Sequence, residues 1–472
     1  MTINPLNLAS PPLYHASDIR AIEAHWVDTH PETSLMEKAG TALAQVASTL
    51  AKESDAPVLI LAGPGNNGGD ALVAARLLQQ QGLHVLVASQ ADHGRLSPDA
   101  TRAWTHWHNL GNAIHTAIPN EHTYSLVMDG LFGIGLQRDI TGTEARWIEQ
   151  VNAIICPKLA IDLPSGLDSE SGRIRGCAFR ADHTLTFLGL KPGLLTADGL
   201  DLTGMLTLDT LGIDSAFLPA SSGYALTQLR PWHQLPTRIH NSHKGSYGHI
   251  GVIGGASGMV GACLIAGRAA LQQGAGSVTL GMLDDRVVVD YGEPRLMLAA
   301  PETLLNAPLS VLVIGPGLGA STHAHALVET ALSVTCPLIL DADALNLLAS
   351  DPQLARQAAR RHASTLLTPH PGEAARLLNT TATDIQANRI EAAETLSQQY
   401  SAEVALKGAG TVIAHPDGRY AINTSGGPWL AQAGSGDRLA GMLAALLGQG
   451  MAAGPALEAA VWLHGLPLDP NI

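Results

Sequence analysis

Val58-Leu-Ile-Leu-Ala62 is a five-residue apolar run, and Gly63-Pro-Gly-Asn-Asn-Gly-Gly-Asp70 follows it directly. Next comes Ala71-Leu-Val-Ala-Ala-Arg-Leu-Leu-Gln-Gln-Gln-Gly82, whose apolar residues recur at helical spacing. A buried strand, a glycine turn and an amphipathic helix form the repeating unit of a parallel α/β sheet. Working outward, 84–88, 125–128, 159–161, 184–188 and 205–208 read as further strands separated by helical stretches. Asp129-Gly130 and Asp162 stand directly after two of them.

The alternation lapses over 214–236, a Pro-, Ser- and Gly-containing stretch. A domain boundary placed there divides the chain into 1–225 and 226–472. A second series of strands follows at 249–253, 277–280, 311–314, 338–340, 364–367 and 403–406. The segments 412–414 and 420–423 flank His415-Pro-Asp-Gly-Arg419 and predict a hairpin.

The 472 residues suit two large α/β domains, and 46% hydrophobic against 14% charged residues excludes global disorder. A net charge of −14 argues against nucleic-acid or anionic-membrane partners, because no positive field would draw phosphates in. Any phosphate must be held locally, by backbone N–H groups and a few cations. Of the six lysines, Lys191, Lys244 and Lys407 each adjoin a glycine-containing loop. Four scattered cysteines without a CxxC pair, and a start without a basic region and apolar core, predict a cytoplasmic protein. The apolar region 439–463 is broken by Gly448, Gly450, Gly454, Pro455 and Glu458, so it reads as two buried helices rather than a membrane span.

Gly63-Pro-Gly-Asn-Asn-Gly68 satisfies the dinucleotide fingerprint G-x-G-x-x-G, with Asp92 as a conceivable ribose acid, so a dehydrogenase is the first rival. The residues at other strand ends point elsewhere. Asn67, Asp129 and Ser165 are oxygen ligands beyond three strands, where open α/β sheets gather their sites. Such hard donors suit potassium or magnesium. Asp162 and Asp168 share the tight loop Leu159-Ala-Ile-Asp-Leu-Pro-Ser-Gly-Leu-Asp168. His106-Trp-His108 has metal-like spacing but no further ligands, and reads as a helix surface.

The segments GPGNNGGDALVAARLL, VMDGLFGIGLQRDITG and AIDLPSGLDSESG, in that order, resemble the epimerase domain of the bifunctional NAD(P)H-hydrate repair enzymes. The resemblance covers roughly 12–215 and implies a Rossmann-like three-layer fold. It implies that Asn66, Asn67, Gly68, Gly69 and Asp70, with Gly133, Ile134, Gly135, Leu136, Gln137, Arg138 and Asp139, hold the hydrated dinucleotide. Asn67, Asp129 and Ser165 would bind K+, and Asp162 would contact the substrate as acid and base. Ile134 departs from the threonine common in the family. In a nicotinamide hydrate C6 carries both hydroxyl and ring nitrogen, so the nitrogen lone pair can expel the hydroxyl once it is protonated. Relatives of this domain also serve as scaffolds in RNA-decay proteins, but Asp129 and Asp162 favour an active enzyme.

In the second half, Ala431-Gln-Ala-Gly-Ser-Gly-Asp-Arg-Leu-Ala-Gly441 places free N–H groups and the positive end of a helix dipole beside a carboxylate. Charge developing on a transferring phosphoryl group would be stabilised there, with Asp437 as base toward a hydroxyl nucleophile. Together with VIGPGLG, LDADALNLLA, LTPHPGEAARLL and ALKGAGTVIA, this segment resembles the ribokinase-like ADP/ATP-dependent NAD(P)H-hydrate dehydratases over about 236–466. The resemblance implies a nucleotide at Lys407, Gly408, Ala409, Gly410, Thr411 and Gly436, and a hydrate against Ala262, Gly319, His370 and Asp437. Asp437 would deprotonate the C6 hydroxyl, which takes the terminal phosphoryl group of ADP. Loss of phosphate then restores the nicotinamide, giving AMP, phosphate and NAD(P)H, with Mg2+ neutralising the phosphates. Small-molecule substrates (hydrated NADH and NADPH, and ADP) and a homo-oligomeric assembly are expected. The rival for this half is a ribokinase-like small-alcohol kinase fused to a dinucleotide-binding domain.

Overall fold

A computed structural model describes residues 3–4, 10–51, 55–92, 94, 96–119, 123–230, 233–234 and 237–467. The chain forms two compact units, Met1–Ser221 and Ser222–Ile472.

In the first unit the strands are β1 (Ile3–Asn4), β2 (Val58–Ala62), β3 (Val85–Ala88), β4 (Ile114–His115), β5 (Leu126–Gly130), β6 (Lys158–Ile161), β7 (His183–Phe187) and β8 (Met205–Asp209). They form one eight-stranded sheet in the order β1-β8-β7-β6-β5-β2-β3-β4, with every pairing parallel. Strand pleating divides the sheet's side chains between two cores. Val58, Ile60, Val87 and Met128 share one with the helices Leu35–Leu50 and Asn66–Gln80. Leu59, Leu61, Val127 and Ala160 face the other, with Trp147, Ile148 and Val151 of the helix Gly142–Asn152. The result is a three-layer Rossmann-like unit. From β2 the chain winds out to β4 and then returns to lay β5 on the other side of β2. That reversal leaves a crevice beyond the carboxyl ends of β2 and β5, the usual ligand position in such sheets.

The glycines of the opening motif meet a packing demand. A Cβ on Gly63 would lie 1.8 Å from the Leu131 carbonyl oxygen, and one on Gly68 would lie 1.9 Å from that of Gly63. The motif therefore brings strand, loop and helix backbones together, as the dinucleotide fingerprint also does. His106 and His108 are exposed on either side of the buried Trp107.

In the second unit the strands are β9 (Gly223–Leu226), β10 (His249–Gly254), β11 (Ser277–Met282), β12 (Met297–Ala299), β13 (Val311–Ile314), β14 (Leu338–Leu340), β15 (Thr365–Leu367), β16 (Glu403–Leu406), β17 (Val412–Ala414) and β18 (Tyr420–Asn423). Their order is β12-β11-β10-β13-β14-β15-β16-β17-β18-β9. Only the pairings of β17 with β16 and with β18 are antiparallel. The β17–β18 hairpin turns at Gly418, whose φ of +85° suits glycine. This is a ribokinase-like α/β unit. The helices Val260–Gln272 and Ser435–Gly448 approach closely enough that a Cβ on Gly441 would lie 2.0 Å from the Ala266 carbonyl oxygen. The region 439–463 contributes to two helices, Ser435–Gly448 and Ala453–His464, and no described helix is long and apolar enough to cross a membrane.

A buried polar cluster ties β9, β16 and β17 to the last helix. Glu458 accepts from the Tyr224 hydroxyl at 2.6 Å and pairs with His233 Nε2 at 2.6 Å. His415 Nδ1 lies 2.6 Å from Glu403, and its Nε2 lies 3.1 Å from Glu458, within ion-pair reach but off the hydrogen-bonding direction. Although burial opposes its charge, the hydrogen bond to Glu403 and the negative charge of Glu458 raise the His415 imidazole to about 9. Burial likewise opposes the Glu458 charge, and hydrogen bonds from His233 and Tyr224, with the positive charge of His415, hold that carboxyl at about 2.

The sign follows from linkage. The His415 contribution is full below its ordinary range near 6.5 and is lost as pH rises through about 9. The Glu458 contribution is present above about 4.5 and is lost as pH falls through about 2. Glu458→Gln should therefore cost about 3–5 kcal/mol near neutral pH, because it leaves a buried imidazolium short of a partner. Thermal melting checks this, and an unchanged melting temperature would remove the cluster from the stability account.

Candidate active sites

The first unit holds a cavity of about 700 Å³ at the β2/β5 crevice. Proline in the turn and an extended Gly65 stop the strand, and the helix Asn66–Gln80 starts at once, so Asn66, Asn67 and Asp70 arrive at the cavity rim. Ile134, Gly135, Leu136, Gln137 and Arg138 line the opposite side with Gly133. Gly68 and Gly69 are buried in the first helical turn and Asp139 is exposed; none of the three lines the cavity.

Asn67, Asp129 and Ser165 come together around the backbone of Phe132. Asn67 Nδ2 donates to the Phe132 carbonyl at 3.1 Å, and the Phe132 N–H donates to Ser165 Oγ at 2.8 Å. Ser165 donates to Asp129 twice, from its N–H at 2.7 Å and from Oγ at 2.7 Å. Asp129 is fully buried, and among the described residues no cationic side chain pairs with it. Burial raises its carboxyl to about 6, against the pull of the hydrogen bonds from Ser165 and Leu131. Among the described residues no group of three or more His, Cys, Asp or Glu could hold a metal, so any ion here would depend on the single Asp129 carboxylate together with amide, hydroxyl and carbonyl oxygens.

Asp162 follows β6 with a φ of +62°, a conformation a non-glycine residue adopts only at a cost of order 1–3 kcal/mol. Its Oδ1 accepts from Thr186 Oγ1 at 3.0 Å, from the Phe187 N–H at 3.1 Å and from Lys191 Nζ at 2.5 Å. Lys191 is 0% exposed and also donates to Thr186 Oγ1 and the Phe187 carbonyl. Lys191 had only its glycine-containing neighbourhood to single it out in the sequence. Glu23, on the helix Ala16–Thr29, also lines the cavity, and nothing in its local sequence marks it. Asp168 takes a structural role, paired with Arg175 and accepting from the N–H groups of Glu170 and Ser171.

In the second unit Asp437 sits in the first turn of the helix Ser435–Gly448, behind Gly434 at φ +84°. A Cβ on Gly436 would lie 3.1 Å from Lys407 Nζ and 3.9 Å from Asp341 Oδ2. The glycine therefore admits a lysine–aspartate pair, Nζ to Oδ1 2.8 Å, to the start of the helix. Glu373 stands 3.9 Å from the same ammonium. Burial and the charge of Asp341 raise the Asp437 carboxyl to about 6, while Lys407 opposes the rise. A base poised near the working pH is what proton removal from an alcohol requires.

Beneath the loop Lys407-Gly-Ala-Gly-Thr411 lies Arg389, 1% exposed and donating to the carbonyls of Leu406 and Lys407. A Cβ on Gly408 would stand 2.7 Å from its Nη1, which with φ +140° explains that glycine. Gly319, at φ +76°, donates its N–H to Asp343 at 2.8 Å. Ala262 lies in the first turn of the helix Val260–Gln272, and burial, with Asp437 near enough to add to it, raises the thiol of the adjoining Cys263. His370 caps the helix Pro371–Leu377: its Nδ1 accepts from Gly372 N–H at 2.9 Å, so Nε2 carries the proton. Burial and the nearby Lys407 and Arg376 hold this imidazole below its ordinary range. Asp341, Asp343, Glu373 and Arg389 are site residues the sequence reading did not single out; the first two lie inside the quoted LDADALN segment.

Two α/β units, one with Asp162 lining a strand-end cavity and one with Asp437 at a glycine-bracketed helix start, fit a bifunctional enzyme of acid–base chemistry. The profile described as NAD(P)H-hydrate dehydratase matches residues 250–467, and that described as YjeF-related protein N-terminus matches 32–193. The chain is 37% identical to the bifunctional NAD(P)H-hydrate repair enzyme Nnr of Escherichia coli, covering 99% of this chain and 91% of that protein. It is 36% identical to the protein of the same name from Coxiella burnetii, over 97% and 94%. A crystal structure of ADP/ATP-dependent NAD(P)H-hydrate dehydratase from Bacillus subtilis, co-crystallized with ATP/Mg2+, covers 50% of this chain and 84% of that one at 33% identity, with a TM-score of 0.42. The chain belongs to the bifunctional NAD(P)H-hydrate repair enzymes, with an N-terminal epimerase and a C-terminal dehydratase. The kinase and dehydrogenase readings give way to this one.

Proposed function

We propose that Met1–Ser221 interconverts the R and S hydrates of NADH and NADPH, and that Ser222–Ile472 dehydrates the S form at the expense of ADP. The observation that carries the second assignment is Asp437, its carboxyl raised to about 6 at a glycine-bracketed helix start beside Lys407. Asp437 takes the C6 hydroxyl proton. The freed oxygen attacks the terminal phosphoryl group of ADP, and AMP leaves. The ring nitrogen then pushes out phosphate, a far better leaving group than hydroxide, and loss of a C5 proton from the resulting N1=C6 iminium restores NAD(P)H. The N–H groups at the start of the Asp437 helix and the Lys407–Thr411 loop receive the phosphates. Lys407, held by Asp341, supplies fixed positive charge rather than a mobile arm. Mg2+ would neutralise the nucleotide's phosphates. Asp341 is already engaged by Lys407 and Glu373 by the His370 N–H, which favours an ion carried by the nucleotide itself.

In the first unit, Asn67, Asp129, Ser165 and the Phe132 carbonyl suit K+: all are oxygen donors, and the buried Asp129 carboxylate lacks a cation among the described residues. K+ would supply positive charge next to the loop that receives the dinucleotide.

One assay with separated epimers tests the scheme. The S hydrate with ADP and magnesium should yield NADH, AMP and phosphate, and the R hydrate should be consumed as well, because epimerisation feeds it in. ATP in place of ADP should support a slower reaction. Replacing K+ with Na+ should slow consumption of R but not of S, and K+ should raise the melting temperature by ligand linkage. Accumulation of a stable phosphorylated alcohol would overturn the dehydratase assignment, and indifference of both rate and melting to K+ would overturn the cation site.

A further inference from the structure

Epimerisation asks for two proton acts: the departing hydroxyl must be given a proton, and the water arriving on the opposite face must lose one. Asp162 is built for the second. Its Oδ1 accepts from Thr186, Phe187 and Lys191, and the three ammonium protons of Lys191 are spent on Asp162, Thr186 Oγ1 and the Phe187 carbonyl. This closed ion pair engages Oδ1 and leaves Oδ2 as the open oxygen of Asp162.

Asp70 is differently placed. It projects from the helix Asn66–Gln80 into the same cavity, and among the described residues no donor reaches its carboxyl. The charged groups that act on it are anionic: Asp162 from beyond β6, Glu23 from the helix Ala16–Thr29 and Asp99 from the helix Pro98–Asn109. The cavity's cations are Arg20, Arg138 and the committed Lys191. Burial first, and then those anions, push the Asp70 carboxyl well above the ordinary range, toward its neutral form. Glu23 is also raised by burial, but Lys191 and Arg20 pull it back.

We propose that Asp70 is the general acid of the epimerisation, paired with Asp162 as general base across the nicotinamide ring. The inference rests on reading this cavity as the epimerisation site. Asp70 gives its proton to the C6 hydroxyl; the C6–O bond breaks, its electron pair leaves with water, and the nitrogen lone pair forms N1=C6. Water then attacks C6 from the other face, the N1=C6 pair returns to nitrogen, and Asp162 takes the proton. Solvent in the cavity carries that proton from Asp162 back to Asp70, or the loaded pair runs the reverse reaction.

The test uses the full chain and pure R hydrate, with R and S separated chromatographically. Asp70→Asn should lower the R-to-S kcat on the order of 10²-fold while KM moves by less than about threefold. It should also abolish the loss of rate at alkaline pH that marks a required acid, and Asp70→Glu should restore part of the rate. If the asparagine variant does not fold, Asp70→Glu carries the test through a shifted alkaline limb. A raised KM with kcat and pH profile intact would make Asp70 a binding residue only and overturn the proposal. An Asp162→Asn protein with parental epimerisation would instead overturn the reading of the cavity.

Discussion

Asp437→Asn should lower the rate of NADH formation from the S hydrate and ADP by a factor on the order of 10²–10⁴, the usual worth of a positioned base. Asparagine keeps the size of the side chain and its place in the first turn of Ser435–Gly448, so binding of both substrates should survive. What is lost is the capacity to take the hydroxyl proton. In the parent protein the same requirement should appear as activity falling when pH drops through about 6, where Asp437 becomes protonated. The direction follows from the physical cause: burial and Asp341 favour the neutral acid, which cannot act as a base. The asparagine variant should lose that acid limb along with its rate. Epimerisation by the first unit should be untouched and serves as an internal control. Regeneration of NADH at the parental rate would remove Asp437 from the chemistry.

Asp162→Asn should abolish epimerisation to a similar degree and destabilise the first unit by about 3–5 kcal/mol. The second effect arises because the Lys191 ammonium, whose side chain is 1% exposed, would be left without its anion. The two effects separate in a double-mutant cycle. Lys191→Met in the Asp162→Asn background removes the orphaned charge and should recover most of the lost stability, yet none of the epimerisation. Melting temperature and R-to-S conversion are the two readouts. Recovery of activity together with stability would mean that the ion pair is structural and that the proton is handled elsewhere.

Much of this architecture is legible in one dimension, because strand, glycine turn and helix are local events. The apolar run Val58–Ala62, the helical spacing after it, and the carboxylates placed just after strands all follow from backbone periodicity and steric rules acting over a few residues. The position of Asp437 after a left-handed glycine is likewise readable, since a helix start needs little more than its own turn.

The partners of these carboxylates could not be read that way. Lys191 and Asp162 lie 29 residues apart, and Lys407 and Asp341 lie 66 apart. Glu23 reaches the first cavity from a helix with no motif of its own. The composition of each site depends on which strands lie side by side, and strand order is a property of the whole sheet. Placing β5 between β2 and β6 brings Asn67 and Ser165 to the backbone of Phe132, with Asp129 behind Ser165. Local sequence thus determined where each carboxylate leaves the backbone. Tertiary packing alone decided which become poised acids and bases, because burial and neighbouring charge, the terms that move a proton equilibrium most, exist only once distant segments meet.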